Sequence, residues 1–172
     1  CDAGIVWFSA HFPDGGEYQE VLNKLAEQDQ TSYASWLTDR IPDTTKKVLR
    51  YEEVVGTNLF VNGDLEVDGS INLSGNLLVT GNIKAGSGIE ARGAIKAGGS
   101  IEAGRSIEAG EGIKAGGGIE AGEGIKAGRG IEAGEGIEAG EGIEARWGIE
   151  AGEGIKAGSG IEARGAIKAG GS

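Results

Sequence analysis

A large aliphatic residue opens every sixth position from Leu59 to the end of the chain, through nineteen consecutive hexads. Few folds can use so strict a clock. The series begins LFVNGD, LEVDGS, INLSGN, LLVTGN and then becomes nearly uniform. From Ile83 onward the first position is always Ile, the third always Ala and the second always Glu or Lys, while positions four to six are mainly Gly, Ser, Glu or Arg. Strand alternation sends Ile and Ala to one side and the Glu or Lys between them to the other. A three-residue strand followed by a three-residue corner, taken three times, closes a triangle. The expected fold is mainly β: a single-stranded β-helix of about 18 residues per coil, its coils stacked at roughly 4.8 Å. The segment IKAGSGIEARGAIKAGGS recurs at 83–100 and 155–172, an offset of 72 residues. That offset is four coils, although it also fits shorter periods. Glycine at the corners is expected to supply positive backbone angles.

A helical reading of the repeat fails on glycine. Each hexad would place two or three in a helix interior, at about 1 kcal/mol apiece against Ala. Disordered linkers are also glycine-rich, but they do not return an apolar residue on a fixed period. Each Ile buried in a stack contributes roughly 2–3 kcal/mol, so many coils hold where one would not. Handedness stays open, because Ala follows Ile by two positions, the reverse of the spacing in left-handed hexapeptide acyltransferases.

The chain before the repeat has a different composition. Two of the three Trp, all three Tyr and two of the three Phe precede residue 52, whereas most of the 35 Gly follow residue 80. Ile5, Val6, Trp7, Phe8 and Phe12 suit a short helix ended by Pro13-Asp14-Gly15-Gly16. Tyr18, Val21, Leu22 and Leu25 predict a second helix from about Glu17 to Gln28. Tyr33, Trp36, Leu37 and Ile41 predict a third, from about Ser32 to Arg40, before Pro42. The expected organisation is a helical cap over 1–43, a connection over 44–58 and the β-helix over 59–172. The cap would cover the open edges and exposed core of the first coil. Val48, Leu49, Val54 and Val55 would pack along the connection.

No constellation for chemistry appears. There is one histidine, His11, and one cysteine, Cys1, with no CxxC and no Ser/His/Asp set. Glycine-rich runs such as AGGGIEAG lack the Lys-Ser/Thr ending of a phosphate loop. No catalytic residue, cofactor or metal ligand is therefore expected, and the chain reads as a non-enzyme. No apolar run reaches the roughly 18 residues of a membrane span. Cys1-Asp2 resembles the mature end of a bacterial lipoprotein, which stands as the alternative to a place in the cytoplasm.

Charge is the informative feature. The net charge of −11 is spread along the chain, and residues 59–172 hold 17 acidic and 11 basic side chains. If hexads three apart share a face, one face gathers Lys126, Arg129, Arg146, Trp147 and Arg164. The other two gather Glu120, Glu123, Glu132, Glu135, Glu138, Glu141, Glu150 and Glu153, from IEAGEG hexads that contain no Lys or Arg. Such a surface suits a partner protein with a basic face, including one whose natural ligand is nucleic acid. Direct nucleic-acid binding is not expected. An exposed Trp147 beside Arg146 would act as an interface anchor.

The run FPDGGEYQEVLNKLAEQDQTSYASWL followed by IKAG and IEAG hexads resembles a poorly characterised family of enterobacterial phage and prophage proteins. The repeat is also similar in style to the polymer-forming bactofilins. The first resemblance implies a phage setting; joined to the acidic patch and Trp147 it makes the leading expectation a binding protein in the host bacterial cytoplasm that inhibits or sequesters a host factor, such as a defence complex, as a nucleic-acid mimic would. The second implies the alternative, a structural scaffold that self-associates through its coil ends; a rigid spacer in a phage particle is a further alternative.

Overall fold

The computed structural model describes residues 2–40 and 47–171. The expectations that rest on Cys1, Ile41, Pro42 and the boundary at 43/44 lie outside the described residues. Three helices come first: α1 (Asp2–His11), α2 (Tyr18–Glu27) and α3 (Thr31–Arg40). A parallel β-helix follows, its strands sorted into three seven-stranded sheets. Every third hexad shares a face, as in the parallel register Ile83↔Ile101↔Ile119. The first face holds the strands that begin at Ile101, Ile119 and Ile137, the second those at Ile107, Ile125 and Ile143, and the third those at Ile113, Ile131 and Ile149. From Ile83 to Ala151 every Ile at position one and every Ala at position three is buried in one continuous core.

The β-helix begins earlier than the hexads suggest. Strands β1 (Lys47–Tyr51) and β2 (Val54–Gly56) join β3 (Leu59–Val61) as a first coil, where a connection was expected. Leu49, Val54 and Leu59 all pack against the core, and they are five residues apart rather than six. This shorter spacing hides the coil from a six-residue reading. Val48 and Val55 are exposed.

Corner glycines also work differently from the expectation. Among the described residues only Gly15 and Gly63 are glycines with positive φ, so the repeated corners need no left-handed backbone. Their constraint is close approach. A Cβ on Gly104 would lie 2.2 Å from the carbonyl oxygen of Gly86, one coil below, and one on Gly122 would meet Gly104 at the same distance. Glycine at position four lets each corner nest on the previous one.

The helices sit against the side of the β-helix rather than squarely over its end. Val21, Leu22, Leu25 and Ala34 form one core with Phe60 and Leu78. Both of the latter occupy position two of third-face hexads, where later coils carry Lys or Glu. The next residue in that column, Lys96, reaches Asp39 of α3 at 2.8 Å and Ser35 at 3.1 Å. The capping expectation holds at β3, the edge strand of the third sheet. There the Gln19 amide donates to the Phe60 carbonyl and accepts from the Asn62 backbone N–H, both at 2.8 Å. A side-chain amide thus satisfies backbone groups that an open edge would leave unpaired.

Candidate functional site: an acidic groove and a tryptophan corner

Each strand offers one outward side chain at position two, and parallel register stacks these into columns. On the first face the column runs Lys84, Glu102, Glu120, Glu138, Lys156. Lys84 donates to Glu102 at 2.8 Å and Lys156 to Glu138 at 2.5 Å, so a lysine closes each end of the glutamate run. The hydrogen bond and charge of Glu102 hold the Lys84 ammonium above its ordinary pKa of 10.5, and Glu138 does the same for Lys156. A raised lysine pKa stabilises the fold below 10.5 and loses that contribution as pH climbs beyond it, so both pairs are intact at neutral pH. Glu120, in the middle, has no ion pair among the described residues. Glu135, at the corner between the third and first faces, lines the same groove as Glu102, Glu120 and Glu138. Glu153 follows Glu135 in the corner column, where its N–H bonds the Glu135 carbonyl.

The remaining sequence-selected glutamates lie elsewhere. Glu141 lines a second-face groove with Glu108, Lys126, Glu144 and Glu162, and Glu123 sits one coil below it and accepts from Ser106 at 3.0 Å. Glu132 and Glu150 stand on the third face, where Lys114 reaches Glu132 at 2.7 Å and Lys168 approaches Glu150 at 3.8 Å. The hexads contain no base of their own, but the residue eighteen positions away supplies one. Carboxylates outnumber cations in two grooves, around Glu102, Glu120, Glu135 and Glu138 and around Glu108, Glu141, Glu144 and Glu162, but Lys126 interrupts the second-face column while Glu102, Glu120 and Glu138 follow one another unbroken. Glu102 was missed by the sequence reading, although it shares the column of Glu120. Counting positions two in steps of eighteen finds it.

Trp147 and Arg146 are chain neighbours that serve different faces. Arg146 leans over the second face and lines a groove with Arg92 and Arg164, whereas Trp147 borders the third-face groove with Glu132, Glu150 and Lys168. Trp147 is 65% exposed. The guanidinium of Arg129, one coil below, lies 5.8 Å from its ring centroid and is itself paired with Glu111 at 3.2 Å. This ladder holds the ring in place while leaving it accessible.

The Trp147 corner breaks the local rule. Wherever position four of a repeat corner is not glycine, position five is, as in Arg92-Gly93 and Arg164-Gly165; Arg146-Trp147 has glycine at neither. The Arg146 N–H reaches the Ala127 carbonyl at 3.3 Å, where Gly128 and Gly140 in the same position make 2.9 and 3.0 Å bonds. A residue that weakens its own corner is a functional candidate. Trp147→Gly is therefore expected to leave the thermal midpoint unchanged or raise it. A fall of several degrees would mean that the ring is structural.

Comparison with known proteins adds one match: a family model described as the YdhT N-terminal domain covers residues 1–45. The helical segment thus resembles a recognised domain. No curated protein and no solved structure matches the chain. Among the described residues no helix is long and apolar enough to cross a membrane, which says nothing of β-barrels. Nor do three His, Cys, Asp or Glu among them gather to hold a metal.

Proposed function

We propose that the chain is a non-catalytic binding protein, phage-encoded, whose acidic first-face groove engages a basic surface on a host protein and so inhibits or sequesters it. The observation that carries this reading is the run Glu102, Glu120, Glu138 in strict register with Glu135 alongside. Carboxylates one coil apart, about 4.8 Å, repel one another when nothing covers them. A basic partner relieves that repulsion, and the rigid stack costs little ordering on binding. The phage setting rests on the resemblance of the helical segment joined to IKAG and IEAG hexads. A host cytoplasmic partner whose own ligand is nucleic acid suits a row of anionic groups best. Trp147 would supply an apolar anchor for a partner that reaches the third face as well.

The test is capture from an enterobacterial lysate by the wild-type chain and by Glu120→Lys/Glu135→Lys, which leaves both Lys–Glu pairs intact. The expected result is a basic protein retained by the wild type, released by raised salt and lost in the variant. Equal capture by both chains, or capture indifferent to salt, would overturn the electrostatic reading. Circular dichroism of the variant guards against a folding defect.

A further inference from the structure

The helical segment carries a second binding feature, independent of the acidic groove. Its three helices enclose an apolar groove of about 380 Å3. Val21 and Leu25 of α2 form a buried floor, while Ile5 and Phe8 of α1 and Trp36 and Leu37 of α3 line the sides. Ile5 is 62% exposed and Trp36 39%, so large apolar side chains stand open to solvent at both rims. Gly4 also lines the groove, and a Cβ there would meet nothing within 4 Å. A ten-residue helix is about 15 Å long, so the groove spans two to three turns of an occupant.

Charge narrows the choice of occupant. Through Arg40 the chain has seven Asp and Glu against one Lys and one Arg; Glu27 is held by Lys24 at 2.9 Å and Asp39 by Lys96 at 2.8 Å, so five carboxylates outside those pairs stand against Arg40. A second copy would bring the same negative charge, and anionic lipid surfaces are equally mismatched. We infer that this groove binds an amphipathic helix of a partner protein, with aliphatic or aromatic anchors on one face and Lys or Arg flanking them. The anchors fill the space over Val21 and Leu25, and the basic flanks meet carboxylates such as Glu17, which lies between the lining residues Gly16 and Tyr18. The proposed function does not depend on this site, nor this site on it.

The probe is an amphipathic Leu/Lys helical peptide, titrated against the full chain and followed by calorimetry. Controls are the same residues in scrambled order and a Leu/Glu counterpart. The Leu/Lys helix is expected to bind about tenfold or more tighter than either control, the equivalent of one well-buried aliphatic anchor. Gly4→Phe, which fills the groove, and Ile5→Gln, which removes a rim contact, should each weaken it by a similar factor with unchanged circular dichroism. Glu120→Lys/Glu135→Lys should leave it intact. Equal binding of the scrambled peptide, indifference to both groove variants, or loss in the Glu120/Glu135 variant would overturn the inference. Sedimentation showing a dimer abolished by Gly4→Phe would assign the groove to a second copy, and tighter binding to anionic vesicles would assign it to a membrane; either result overturns it as well.

Discussion

Phe60→Lys is expected to strip the helices from the β-helix while leaving the coils folded. The solenoid accepts lysine at this position in the hexad, as Lys96 and Lys114 demonstrate in the same column. The helices do not. Phe60 is completely buried against Val21, Leu22, Leu25 and Ala34, with Leu78 beside it. Truncating a buried Phe alone costs about 3–5 kcal/mol, and an ammonium buried there costs more. Domains of about 40 residues rarely hold without added support, so the loss should be complete rather than partial. Amide hydrogen exchange gives the decisive readout: protection should vanish over residues 2–40 and persist from Ile83 to Ala151. If protection falls in both regions together, the coils depend on the helices and the two parts are one folding unit. Lys96→Ala should have a far smaller effect, under about 1 kcal/mol, because its pair with Asp39 is partly solvated.

Gly134→Val should destabilise the middle of the stack by about 1–3 kcal/mol, the usual cost of forcing atoms into a packed site. Its Cβ would lie 2.1 Å from the carbonyl oxygen of Gly116, a backbone atom that cannot step aside. The following residue is Glu135, so this corner lacks the compensating glycine found after Arg92. Gly160→Ala is the matched control, because a Cβ there meets nothing within 4 Å. Urea denaturation should lower the midpoint for Gly134→Val and move it little for Gly160→Ala. Equal shifts would mean that glycine acts through chain entropy rather than close approach.

These features were unevenly legible in the residues. Ile and Ala at positions one and three announce the inward face because alternation is a local rule. The helical spacings of Tyr18, Val21, Leu22 and Leu25 announce α2 for the same kind of reason. The first coil escaped because Leu49, Val54 and Leu59 run on a five-residue spacing. Phe60 and Leu78 were visible signals left unused: two apolar residues at position two, eighteen apart, mark both the coil length and the face on which the helices dock. Glu132 looked unpaired because a hexad was read alone, whereas its cation is Lys114 in the coil before it.

The β-helix, its triangular section and its buried Ile and Ala were determined by the sequence alone, since they follow from a strict period and the alternation of a strand. Tertiary structure decided what lies beside what. It placed the helices on the third face, sent Trp147 and Arg146 to different faces, and left Glu120 between two glutamates while Glu132 and Glu138 each gained a lysine. The physical reason is common to all of these. In a stacked coil the neighbours of a side chain come from the strands eighteen residues before and after it, and from whatever packs across that face. Pairing, groove and exposure belong to that contact, which the six-residue repeat does not contain.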